Sequence, residues 1–213
     1  MDVTGSTLLT VLGEAKRDRK AERRSETRRE IVAAAWQLAR DHGLAQVTLR
    51  DVAELVGMRA PSLYTHFASK NAIYDAMFGD AWTQFERYET AAVPGEPQSS
   101  RAALRYYART YFDFAVAFPA RHQLMSLRTI PDFTPSDAAY APSVAVMERF
   151  VARMARHGVV AQDDVDLFVA IVDGLVTAQL ANDPGGERWS RLLDRAIDMF
   201  ADNVGVTSEG NRP

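Results

Sequence analysis

Cysteine is absent from the 213 residues of the chain. Disulfide scaffolds, thiolate metal sites and cysteine-based redox sensing are thereby excluded, and the absence suits a reducing compartment. Histidine is scarce: His42, His66, His122 and His157 stand far apart, so no metal site is expected. No apolar run approaches the roughly twenty residues of a membrane span, and the chain start lacks the basic-then-apolar order of a secretory signal. The expectation is a cytoplasmic protein without membrane contact. Also missing are a glycine-rich phosphate loop, a nucleophile elbow and a carboxylate pair at catalytic spacing. Asp113 or Asp173 with a distant histidine is too little to build on, so the sequence does not read as an enzyme and no cofactor is expected.

What is present is unevenly distributed. Hydrophobic residues make up 47% of the chain, enough for one large domain or a small one docked on a medium one. The net charge of -3 splits into a basic front and an acidic body. Residues 1–70 carry 12 Lys and Arg against 9 Asp and Glu, whereas residues 71–213 carry 13 against 19. A basic front on an acidic body suits a nucleic-acid-binding head, although solvated domains can show such a split by chance.

Along the chain, residues 1–25 read as a flexible basic arm, with charges of both signs crowded from Glu14 to Glu30. Such a run is a solvated helical arm or a segment that tracks phosphates or enters a minor groove. An amphipathic helix follows, with Ile31, Ala34, Ala35 and Leu38 at helical spacing and Gly43 as its stop. Thr48 is a good cap for a short second helix carrying Val52, Leu55 and Val56, and Gly57 ends it. The segment Thr48 to Phe67 then has the order of a helix-turn-helix. Ala53 permits close helix approach, Gly57 suits the turn, Met58 and Leu63 seal the corner, and Pro61 fits a first helical turn. Arg59, Ala60, Ser62, Tyr64, Thr65 and His66 are left as the surface of a second helix sized for the major groove.

From Thr27 to Phe78 the chain resembles the DNA-binding domain of the TetR family. The match runs without gaps through Ile31, Ala34 and Ala35, Leu38, Gly43, Thr48, Asp51 to Ala53, Gly57, Leu63 and Tyr64, Phe67, Ser69 and Lys70. The resemblance implies an all-α protein, with a three-helix helix-turn-helix domain over residues 26–72 and a larger helical effector-binding and dimerisation domain over 73–204. A disordered tail is expected at 205–213. It implies a homodimer on a palindromic double-stranded operator, and a repressor released by a small hydrophobic or aromatic effector. A ligand-insensitive architectural or activating DNA binder is the alternative. By the family's pattern Thr48 and Lys70 contact phosphates and Tyr64 lies against the backbone. Arg59, with Ser62 and His66, is the candidate for base reading, since Arg favours guanine O6 and N7; a phosphate contact is the other reading of Arg59.

In the body, Pro94 to Pro97 bounds a helix beginning at Lys70, and an aromatic-sided helix spans about 99–118 with arginines at 101, 105 and 109. An aromatic stripe is ordinarily core, but in the resembling family this helix lines a ligand cavity. Trp82, Tyr107, Tyr111, Phe114, Met125, Met147 and Phe168 are the expected pocket residues. Asp113 points either to solvent or into that cavity. The last two helices, apolar through Phe168, Val172, Val176 and Leu180 and through Trp189, Leu193, Ile197 and Phe200, form either a four-helix dimer interface or intrachain packing.

Overall fold

The computed structural model describes the backbone of residues 4–206 and the side chains of residues 19–206. Among these residues all regular structure is helical, and the chain divides into two units at Met77/Phe78. The boundary expected at residue 72 thus lies inside a continuous helix. That helix, α4 (Lys70–Ala92), contributes its first eight residues to one unit and the rest to the other.

The first unit holds α1 (Thr4–His42), α2 (Leu49–Leu55), α3 (Ala60–Tyr64) and the start of α4. From Thr4 onward the stretch read as a flexible arm is helical and continuous with the rest of α1. Glu and Arg four residues apart support such a helix. Its core gathers Ile31, Ala35 and Trp36 of α1 with Leu44, Val52, Leu63, Phe67, Ile73 and Tyr74, all nearly inaccessible. The buried Tyr74 hydroxyl donates to the Leu44 carbonyl at 2.6 Å, so this polar atom of the core is satisfied.

The second unit holds the remainder of α4 with α5 (Ser100–Ala117), α6 (Pro119–Ser126), α7 (Asp137–Arg156), α8 (Gln162–Asn182) and α9 (Leu193–Asn203). Helices α5, α8 and α9 pack together around Leu104, Ala108, Phe168, Val172, Val176, Leu193, Ile197 and Phe200. A ladder of charges fixes the register of α5 on α9. Arg101, Arg105 and Arg109, four residues apart, meet Asp202, Asp198 and Asp194, which descend by four. The two helices therefore run antiparallel, and the Arg105 Nε to Asp198 hydrogen bond is 2.7 Å. These pairs are screened by solvent, so the apolar seam supplies the stability and the ladder selects the alignment.

Two expectations change here. Phe168, Val172, Val176, Leu193, Ile197 and Phe200, read as contacts to a second copy, are at most 3% exposed because they form the chain's own core. Leu180 and Trp189 are half-buried. What α8 leaves outward is its other side, where Leu167, Ala170, Gly174, Thr177 and Ala181 share one exposed face. On α9, Arg195 and Met199 point outward, the latter 63% exposed. The fold also extends past the tail boundary expected at 205: Val206 is buried and its carbonyl accepts from Arg101 at 3.1 Å, while residues 207–213 of that tail lie outside the described residues.

Candidate nucleic-acid interface and a cavity in the helical body

The helix-turn-helix is built from local signals. Thr48 caps α2, its hydroxyl oxygen accepting from the Asp51 amide at 3.2 Å while the hydroxyl donates to the Asp51 carboxylate at 2.6 Å. Such a cap stabilises a short helix by about 1 kcal/mol. Gly57, at φ +67°, lets the chain reverse so that the Met58 amide donates to the Ala53 carbonyl at 2.8 Å. Arg59 is the N-cap of α3, and Pro61 lies in its first turn, where no amide hydrogen is needed.

Helix α3 is anchored by one apolar residue, Leu63, at 0% exposure, with Phe67 just beyond it. Everything else on it faces out: Arg59, Pro61, Ser62, Tyr64 and Thr65 are exposed, and Ala60 is half-exposed. Besides Thr48, three of the residues expected to meet DNA are hydrogen-bonded within the chain or turned into it. Thr65 Oγ1 donates to the Ser62 carbonyl at 2.7 Å, Lys70 Nζ donates to the Ala45 carbonyl at 3.0 Å, and His66 turns its Nδ1 into the interior, where it has no partner.

Two residues that the sequence offered only as members of a charged run take a definite place. Arg24 donates to the Thr65 carbonyl at 3.3 Å, and Arg28 donates to the His66 carbonyl while stacking on Phe67. Both guanidinium groups thus satisfy carbonyls at the carboxy-terminal end of α3, where cations are favoured by the helix dipole. Their spacing of four, one turn on one face of α1, was the available signal.

The second unit contains a half-open cavity of about 1010 Å³. Trp82, Tyr107, Tyr111, Met125, Met147 and Phe168, expected there, all line it. Phe114 does not. It is 1% exposed and packs behind the wall, with ring centroids 5.0 Å from Phe85 and 5.2 Å from Phe118. Asp113 is exposed and outside the lining. Further aromatic wall comes from Phe78, Phe85, Tyr140 and Phe150, with Phe78 and Tyr140 stacked at 5.9 Å. Gly79 permits this: a Cβ there would already stand 3.4 Å from the Ala139 carbonyl, so α4 meets α7 almost backbone to backbone.

Polar groups in and behind the wall form two clusters. In one, the Tyr111 hydroxyl bonds Ser126 Oγ at 2.8 Å and His122 Nδ1 at 3.1 Å, and His122 Nδ1 lies 3.8 Å from Asp173. Burial lowers the His122 pKa against the opposing pull of Asp173, so the ring is neutral at pH 7 and the 3.8 Å contact is not an ion pair. Burial likewise pushes the Tyr111 pKa up to about 12. In the other, Glu89, 8% exposed, is bound by Arg153. Desolvation raises the Glu89 pKa although Arg153 acts to lower it. Among the described residues no group of three His, Asp or Glu is placed to hold a metal, and no helix is long and apolar enough to cross a membrane.

Comparison with known proteins agrees with these local features. Residues 31–77 match the family described as bacterial regulatory proteins, tetR family. The class A tetracycline repressor from transposon 1721 of Escherichia coli is 26% identical over 182 residues, covering 80% of this chain and 79% of that protein. Among solved structures, the regulator FadR of Bacillus subtilis in complex with stearoyl-CoA superposes with a TM-score of 0.61 at 14% identity, covering 85% of this chain and 98% of that one. A TetR of Acinetobacter baumannii AYE in complex with minocycline gives 0.57 at 20% identity, covering 82% and 94%. Residues 31–77 thus carry the DNA-binding domain of the TetR family of bacterial regulatory proteins, and the all-helical chain as a whole has the fold of the TetR regulators it superposes on.

Proposed function

We propose that the protein is a cytoplasmic, homodimeric repressor that binds a palindromic operator through α3 of each copy and is released when a small molecule enters the cavity of the second unit. The observation that carries this reading is the coexistence in one chain of an outward-facing recognition helix and an aromatic cavity of about 1010 Å³. Arg59 and Ser62 reach base edges, Thr48 and Lys70 meet phosphates, and Tyr64 lies along the backbone. Lys70 exchanges the Ala45 carbonyl for a phosphate oxygen on binding. The two structural relatives solved with stearoyl-CoA and minocycline support a small-molecule occupant for this chain's cavity.

Dimerisation uses the outward sides of α8 and α9. Leu167, Ala170, Gly174 and Thr177 form a stripe of mostly small residues, and a Cβ built at Gly174 meets nothing within 4 Å, so another helix can approach closely there. Met199 adds an exposed apolar side chain from α9. Selection from random duplexes tests the function: enrichment of an inverted repeat with half-sites about one helical turn apart supports it, and the absence of any enriched sequence contradicts it.

A further inference from the structure

The charges of the cavity wall narrow the chemistry of its occupant, an inference that rests on the cavity being a ligand site. Four carboxylates line it, Glu89, Glu148, Asp166 and Asp173, against one guanidinium, that of Arg153. Arg153 is already taken, bound to Glu89 and lying 5.5 Å over the ring of Tyr107, so it is not offered to an incoming anion. Glu148 and Asp166 are exposed, and Asp166 accepts from the Gln162 amide at 2.8 Å. Asp173 lies seven residues after Asp166, two turns further along the same side of α8, and is half-buried. The one basic side chain beside it among the described residues is His122, at 3.8 Å, which is neutral and forms no ion pair. The wall therefore carries uncompensated negative charge.

The uncharged part of the wall favours the same partner. Aromatic faces attract cations, and Trp82 and Tyr111 line this space, while the ring of Tyr107 already faces Arg153. An anion placed here meets carboxylates without a free guanidinium to offset them. Trp82 Nε1 is also buried without an acceptor, a donor that a carbonyl or ether oxygen on the ligand would satisfy.

We propose that the cavity takes a cationic aromatic compound, its positive group held by Asp173 and its rings seated among Trp82, Tyr107 and Tyr111. An acidic or phosphorylated ligand of the same size is disfavoured. Three dyes test this by fluorescence titration of the full chain: rhodamine 6G, a xanthene cation; fluorescein, an anion on the same ring system; and Nile red, uncharged. The expected result is that rhodamine 6G binds about tenfold or more tighter than fluorescein, and that Asp173→Asn removes most of that preference while changing Nile red binding by less than about twofold. Asp163→Asn, an exposed carboxylate of α8 outside the lining, leaves all three unchanged. Fluorescein binding as tightly as rhodamine 6G, or a preference that survives Asp173→Asn, overturns the proposal while Nile red binding upholds the ligand site. If none of the three binds, the ligand-site reading fails and this inference fails with it.

Discussion

The guanidinium carbon of Arg28 lies 4.0 Å from the ring centroid of Phe67, so a residue of the first helix is stacked on the side chain that anchors the end of the recognition helix. The same guanidinium donates to the His66 carbonyl, and Arg24, one turn earlier, donates to Thr65. Helix α3 has only five residues and one fully buried anchor within it, Leu63, so its position depends on such contacts at its ends. Arg28→Ala is expected to cost about 1–2 kcal/mol of stability and to weaken operator binding about tenfold, with Arg28→Lys recovering part of both. Thermal denaturation and fluorescence anisotropy measure the two effects. Unchanged operator affinity in Arg28→Ala would show that α3 holds its place without this contact.

Arg59 and Lys70 are expected to fail differently. Arg59→Ala should cost roughly 1–3 kcal/mol and relax the preference at one base pair, whereas Lys70→Ala should weaken all duplexes about equally and flatten the salt dependence by about one phosphate. Titrations against operator variants at several salt concentrations separate the two. Equal losses on operator and random DNA for Arg59→Ala would assign that residue to the phosphates.

The outward stripe of α8 gives a prediction about assembly. Gly174→Trp has room in the isolated chain, since nothing lies within 4 Å of its Cβ, yet it fills the face on which a second copy would close. It is expected to leave the fold intact and to give a species of the 23.6 kDa chain mass by light scattering, where the wild type gives twice that. Met199→Glu should act in the same direction. A dimer that persists in both variants would place the interface elsewhere.

His122 ties stability to pH. Its folded pKa lies below the ordinary 6.5 because burial disfavours the cation, with Asp173 opposing in part. The unfolded chain therefore takes up this proton before the folded chain does, and the stability contributed by the neutral ring is present above pH 6.5 and lost as pH falls below it. Denaturant unfolding between pH 7.5 and 5.5, about one unit either side of the ordinary histidine value, should show falling stability, with a shallower slope in His122→Gln. An identical slope in the variant would remove His122 as the source.

The helix-turn-helix was readable because its determinants are local. Thr48, Gly57 and Pro61 act through contacts a few residues away, and Leu63 and Phe67 fall where a buried corner needs them. Six of the seven residues expected in a pocket line the cavity, being aromatic or methionine positions on helices, while Phe114 lies behind its wall because adjacent turns of α5 serve both the wall and the packing behind it. The outward face of α8 was not readable as such. That helix is apolar nearly all round, and hydrophobicity alone does not say which side meets its own chain. The ladder from Arg101–Asp202 to Arg109–Asp194 decides it by setting α9 on α5, but it couples residues about ninety positions apart. The role of Arg24 and Arg28 was hidden for the same reason, since their acceptors lie in α3 and just beyond.

The most direct test of the central claim is fluorescence-anisotropy binding to a duplex recovered by selection, against the same duplex shuffled, at two salt concentrations. Sequence-specific recognition through α3 predicts at least about a hundredfold preference for the selected duplex that persists at the higher salt. Equal affinities that fall together as salt rises would contradict it, leaving a head that holds DNA by charge without reading it.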